Sequence, residues 1–236
     1  MLINSDFYIY LMLALASLVA IVSRKIDLTG GVVGGITASL LFASSGLFGI
    51  LLIGSFFIIG TLASLYKINH KTKLDLAEAN QSRRGWKNVV SNSGIAALVA
   101  LLDIFFPTFL PAEFLIAVCF ATALSDTLSS EMGNVTGRYY FNILSFESGK
   151  RGVDGVVSWE GFGWGLVGSG IIGTIYWGFH SSLYDSIILV LIGFSGNLLD
   201  SILGATLQRK GYLSNHGVNF TSTTAATMVS LIISSW

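Results

Sequence analysis

The sequence predicts an all-α fold, a polytopic transmembrane helix bundle of about eight membrane segments. Three observations predict it: the composition, the lengths of the apolar runs and the placement of the basic residues. Of the 236 residues, 53% are hydrophobic and 11% charged, and the mean hydropathy is +0.72, a balance foreign to soluble domains. Crossing a hydrocarbon core of about 30 Å takes roughly 17–25 apolar residues, fewer where neighbours shelter a short helix. Eight runs qualify, at 7–22, 29–44, 46–66, 88–106, 112–128, 158–178, 184–204 and 218–234.

The first run reads as a retained helix and not as a cleaved leader, because Arg24 and Lys25 follow it and nothing basic precedes it. The second contains Gly30, Gly31, Gly34 and Gly35, and only Ser44, Ser45 and Gly46 part it from the third, which predicts a tight helical hairpin. Pro107 and Pro111, the only prolines, punctuate the loop between the fourth and fifth runs. The fifth holds the single cysteine, Cys119, which has no disulfide partner and reads as a packing residue. With no break in composition, residues 1–236 read as one integral membrane domain.

All 13 Lys and Arg residues fall in odd-numbered loops. Arg24 and Lys25 follow the first run; Lys67, Lys71, Lys73, Arg83, Arg84 and Lys87 follow the third; Arg138, Lys150 and Arg151 follow the fifth; Arg209 and Lys210 follow the seventh. The positive-inside rule places these loops in the cytosol and both termini outside, for a multi-pass protein of the cell membrane. The outer connections are minimal, so function is expected at the cytosolic helix ends. The stretch from Tyr66 to Lys87, with Asp75 and Glu78 among its basic residues, reads as a solvated amphipathic surface helix.

Ionisable and amide side chains at the edges of apolar runs are costly at membrane depth and mark sites. Arg84, Asn88 and Asn92 recur every fourth residue and predict one polar face on the fourth helix, suited to an anion. In ATALSDTLSSEMG, Asp126 and Glu131 bracket Thr127, Ser129 and Ser130; carboxylates and hydroxyls are the hard oxygen ligands that suit Mg²⁺. Five residues apart on a regular helix, the two carboxylates diverge by about 140°, so they share a site only if the helix ends between them or each meets a different ligand. In GFSGNLLDSILGATLQ, Asn197, Asp200, Ser201 and Gly204 share a face, and Gly193 and Gly196 allow close helix approach. Asp126 and Asp200 lie on parallel helices near the same end, a pair able to clamp metal. Around the start of the sixth helix, Gly149, Gly152 and Gly155 admit a ligand to backbone amides, with Asp154 or Ser158 as cap; Asn215 and Asn219 open the eighth.

The zero net charge gives no reason to expect nucleic acid. No GxxxxGK[ST] or GxGxxG motif is present, His70, His180 and His216 are dispersed, and GxSxG is absent, which argues against P-loop, zinc-hydrolase and serine-nucleophile chemistry.

The ordered set of Arg84, Asn88 and Asn92, SDTLSSEMG, the Gly152 to Gly161 stretch, GNLLDSILGATLQ and NHGVNFTS resembles the phytyl-phosphate kinase-like integral membrane family. Its eukaryotic relatives include transmembrane protein 19, and its members were long catalogued as a domain of unknown function. The resemblance runs from about Arg24 to Thr224. It implies transfer of a phosphoryl group from a nucleoside triphosphate, CTP, to an isoprenoid monophosphate such as phytyl phosphate, giving the diphosphate. The motif positions that carry over are Arg84, Asn88, Asn92, Asp126, Ser130, Glu131, Asp154, Ser158, Asn197, Asp200, Gln208, Asn215 and Asn219; the chain departs at Lys150 and Arg151, where relatives carry a Val-Pro stretch after a Lys.

The expected chemistry follows. Asp126, Glu131 and Asp200 hold Mg²⁺ as the catalytic and metal set, while Arg84, Lys150 and Arg151 neutralise phosphate. Asn88, Asn92, Ser130, Asp154, Ser158, Asn197, Asn215 and Asn219 complete the substrate site. Membrane lipid, the isoprenoid phosphate and the nucleotide are the expected partners, and a homodimer is compatible with the sequence. The alternative is a secondary transporter or ion-coupled or proton-coupled carrier that uses Asp126, Glu131 and Asp200 as its pathway. It fits less well, because the polar positions crowd one side.

Overall fold

The computed structural model describes residues 5–74, 76 and 83–234. The helices are α1 (Ser5–Val22), α2 (Leu28–Leu65), α3 (Ile68–Lys73), α4 (Trp86–Phe105), α5 (Ala112–Thr136), α6 (Trp159–His180), α7 (Leu183–Leu203) and α8 (Asn215–Ser234). Four are long and apolar enough to cross a membrane by themselves: α2, α4, α5 and α7 with the π turn that extends it. α1, α6 and α8 pack beside these in the bundle, and α3 is a short helix of six residues after α2.

α2 is two rods. Gly46 has φ 57° and ψ −139°, outside helical space, and a Cβ placed on Gly49 would lie 2.5 Å from the Leu41 carbonyl oxygen. Eight residues of unbroken helix would separate those positions by about 12 Å. The chain therefore reverses at Gly46, and both limbs end beside the same residue: Gly30 packs on the Arg84 backbone and Gly60 on its guanidinium. The predicted hairpin is present, and with it eight helical rods alternate between two ends. Asp27 caps the first limb, its carboxylate accepting from Gly30 N at 2.6 Å. That bond, with those from Thr29 and the charge of Arg83, holds the Asp27 carboxyl below its usual range.

The two ends differ as the charge pattern predicts. At one end Arg84 bonds the Lys25–Asp27 backbone, Lys71 pairs with Glu131, and Arg209 Nε donates to the Asp154 carbonyl at 2.7 Å. At the opposite end Ser44 Oγ donates to Asp103 at 2.7 Å, His180 meets Glu113, and Ser182 caps α7 through Asp185. Basic loops thus share one end and the short connections the other.

α5 is the axis. Its apolar stretch is 78% buried, against 33–39% for the other long apolar helices, and Leu115 to Ala121 have no exposed surface. α6 and α7 reach it through glycine. A Cβ on Gly168 would lie 2.6 Å from the Leu124 carbonyl oxygen, and one on Gly196 would lie 2.8 Å from Thr122 Oγ1. Small residues let backbones approach where van der Waals packing alone drives association.

Two expectations are corrected, and the loop after the fifth run holds a small hairpin. The fifth run was expected to end near 128, but α5 continues unbroken to Thr136, because Leu128 and Gly133 stay buried against the bundle and Gly133 abuts Gly161 of α6. The loop after it is not wholly irregular: β1 (Tyr140–Asn142) pairs antiparallel with β2 (Val156–Ser158), Phe141 opposite Val157. The 66–87 stretch is not a solvated helix as far as it is described. Only α3 forms, Lys71 in it is 1% exposed and Arg84 is 8% exposed; Asp75 and Glu78 lie outside the described residues.

The glycine contacts yield a paired prediction. Gly168→Ala, which drives a methyl into α5, is expected to cost about 1–3 kcal/mol. Gly170→Ala, whose Cβ meets nothing within 4 Å, is expected to leave stability unchanged or raise it by up to about 1 kcal/mol. Thermal unfolding in detergent measures both; equal midpoints for the two variants would contradict the packing.

Candidate active site

A cavity of about 200 Å³ opens among the helix ends at the basic side. α5 supplies Asp126, Ser130 and Glu131, α7 supplies Asn197 and Asp200, and α4 supplies Asn88 and Asn92. Arg84, Asp154 and Ser158 reach it from connecting segments, and Asn215 and Asn219 from the first turns of α8. Twelve of the residues expected at a site therefore share one cavity. Lys150 and Arg151 do not line it. Lys150 is exposed, and Arg151 stacks over the Tyr140 ring, 5.7 Å from its centroid.

The carboxyl groups of Asp126 and Asp200 interact directly with each other. Glycine packing of α7 on α5 brings them together, and each points from a helix whose next outward turns are apolar. Asp200 is braced by α8: Ser222 Oγ donates to Oδ2 at 3.1 Å. The Asn219 amide, oriented so that donors meet acceptors, gives its nitrogen to the same oxygen at 3.2 Å and to the Asn215 carbonyl at 2.9 Å.

Glu131 lines the cavity apart from the aspartate pair. Because α5 does not end between 126 and 131, the helical period turns Glu131 away from the aspartate pair, and its carboxylate bonds Lys71 Nζ instead. Among the described residues no three carboxylate, His or Cys side chains converge as a metal cluster. Arg84 is also placed differently from expectation. It precedes α4, which begins at Trp86 with Gly85 as its cap, yet its guanidinium lies 5.0 Å from the Phe56 ring centroid and lines the same cavity as Asn88 and Asn92.

The roof is the β1–β2 hairpin. Gly152 and Gly155 take φ of 80° and 70°, and Gly155 packs so closely on α7 that an added Cβ would lie 2.5 Å from Ala205 N. There α7 loosens into a π turn, Gly204–Gln208, a feature that often marks functional sites. The turn carries Gln208 into the cavity. Ser158 ends β2 and caps α6, accepting from Gly161 N at 3.1 Å. Tyr140, whose phenol is pushed up by burial, donates to the Gly133 carbonyl at 3.0 Å.

Ser64, Asn134 and Tyr140 also line the cavity and were not read from sequence as site residues. Ser64 ends an apolar run, and nothing in the chain distinguishes it; Asn134 follows SSEMG directly, and that adjacency was its only signal.

A family model described as "Integral membrane protein DUF92" matches residues 11–227. The chain belongs to that family. It is the phytyl-phosphate kinase-like family that the motifs resemble. "Uncharacterized membrane protein MJ0933" of Methanocaldococcus jannaschii is 33% identical, the match covering 89% of this chain and 87% of that one. "Protein VTE6, chloroplastic" of Arabidopsis thaliana is 28% identical over 92% of this chain and 69% of its own. "Protein PGR" of the same plant is 27% identical over 89% and 83%. No solved structure is significantly similar.

Two carboxylates facing each other inside an apolar bundle repel, and relief of that repulsion is measurable. In EDTA, Asp200→Asn is expected to melt several degrees above the wild-type protein, on the order of 1–2 kcal/mol. A midpoint at or below wild type would contradict the contact.

Proposed function

We propose that the protein is a membrane-embedded lipid-phosphate kinase that moves a phosphoryl group from a nucleoside triphosphate, CTP, to an isoprenoid monophosphate such as phytyl phosphate. The observation that carries this reading is the cavity's charge. Among the described residues it is lined by four carboxylates, Asp126, Glu131, Asp154 and Asp200, and one cation, Arg84. Such a cavity repels polyphosphate unless divalent cations enter with it, and that is how nucleotides arrive at kinases. The oxygen-rich donor set fits Mg²⁺. Asp126 and Asp200 would hold it, and when bound it would neutralise charge on the transferring phosphoryl group.

The remaining residues suit positioning. Asn197 is 1% exposed and its Nδ2 has no protein partner, a buried donor left for a phosphate oxygen. Arg84 supplies the fixed positive charge within the wall. Asn88, Asn92, Asn215, Asn219 and Gln208 orient oxygens or water around the ligand, and Ser130 and Ser158 add hydroxyls. The acceptor phosphate is ionised at neutral pH, so no protein base is required for its attack. Arg151 stays outside the cavity, with Nε and Nη2 buried and unpartnered and the guanidinium over the Tyr140 ring. The basic end faces the cytosol under the positive-inside rule, where the nucleotide is found.

The site's one-sidedness favours this reading over a secondary transporter. Every residue lining the polar cavity belongs to the basic end, whereas alternating access needs a polar route to both.

Purified protein with Mg²⁺, labelled CTP, GTP, UTP or ATP, and phytyl, geranylgeranyl or farnesyl monophosphate is expected to yield a labelled diphosphate. Asp126→Ala and Asp200→Ala are each expected to lower kcat by on the order of 10²–10³-fold, with both proteins folded. Wild-type protein that makes no diphosphate from any pair would overturn the proposal.

A further inference from the structure

Lys71 has no part in the site so far, yet it is the most deeply buried cation of the described residues, 1% exposed. Burying an ammonium ion is costly unless it is paired and hydrogen-bonded. Here it is both. Nζ donates to the Ala63 carbonyl at 2.8 Å and to the Ser64 carbonyl at 3.2 Å, at the last turn of α2, and it bonds Glu131 Oε2. The carbonyls at a helix C-terminus favour a cation. Ser64 and Glu131 both line the cavity, so Lys71 stands directly behind its wall. One oxygen of Glu131 is committed to Lys71, and the other belongs to a carboxylate that is 18% exposed at the cavity. The short helix that carries Lys71 is anchored again beyond it: Leu76 N donates to the Lys71 carbonyl at 2.9 Å, and Leu76 packs on Gly152 of the hairpin roof.

We infer that Lys71 is a positioning residue, which holds Glu131 so that its free oxygen orients the water shell of the divalent cation carried by Asp126 and Asp200. The inference rests on the proposed metal-assisted site. Mg²⁺ keeps several of its waters in protein sites, and carboxylates that hold such outer ligands tune affinity by about 10–100-fold. Without Lys71 the Glu131 carboxylate would be free to rotate toward solvent. With it, the carboxylate is fixed about 1.4 turns beyond Asp126 on α5, as an outer ligand where the helical period prevents it from being an inner one.

The test titrates Mn²⁺ into detergent-purified protein without substrates and follows free ion by electron paramagnetic resonance. Lys71→Met and Glu131→Gln are each expected to weaken Mn²⁺ binding about 10–100-fold. The double variant, in which both charges are gone, is expected to fold and to lose no more than Glu131→Gln alone. In turnover, the half-saturating Mg²⁺ concentration rises by the same factor, and the KM for the prenyl phosphate is unchanged. Wild-type Mn²⁺ affinity in Lys71→Met, or in the double variant should Lys71→Met not fold, overturns the inference. So do losses that multiply in the double variant, or a wild-type protein that binds no Mn²⁺. A wild-type protein that binds Mn²⁺ and phosphorylates no lipid overturns the kinase and leaves the metal titration to decide the role of Lys71.

Discussion

The close approach of α6 and α7 to α5 is the contact on which the rest of the structure depends. α5 is buried along nearly its whole apolar length, and the glycines at 165, 168, 193 and 196 remove the side chains that would hold its neighbours off. In hydrocarbon no hydrophobic gain draws helices together, so this fit supplies the association. It also fixes depth and rotation. Asp126 and Asp200 meet because their helices are parallel, in backbone contact and in register at Gly193 and Gly196.

From that contact follows an electrostatic constraint. Charge at membrane depth must be paired, hydrated or neutralised by a ligand, and here the solution differs by residue. Glu131 is paired with Lys71, Asp200 receives α8 hydroxyl and amide donors, and the proposed function gives the aspartate pair a cation as its partner. The hairpin roof docks through Gly155 on the π turn of α7 and lines one side of the cavity. Under the proposed function, this cavity would bring phosphate and divalent cation together at one end of the bundle.

Much of this was legible in the chain. Thirteen basic residues confined to alternate loops gave the rod count and the shared end of the polar clusters, because misplacing one helix would scatter them. Three-residue and four-residue spacing put Asn197, Asp200 and Ser201 on one face, since α7 is regular there. What stayed hidden arises from tertiary contact. The end of α5 was misplaced because SDTLSSEMG is polar, whereas burial against Gly161 keeps those turns helical. Lys71 sat in a charged stretch that looked solvated, and only the fold of α3 back onto the last turn of α2, beside Glu131 of α5, shows it buried. Lys150 and Arg151 neighbour the cavity in sequence, but the tight turns of the hairpin swing them to its outside.

The central claim is that Asp126 and Asp200 form one cation-binding pair. Anomalous scattering from crystals soaked in Mn²⁺ tests it most directly. The account predicts a peak within coordination distance of both carboxylates, about 2–2.5 Å from an oxygen of each. Density showing the two aspartates apart, or a metal held by other residues, would contradict it.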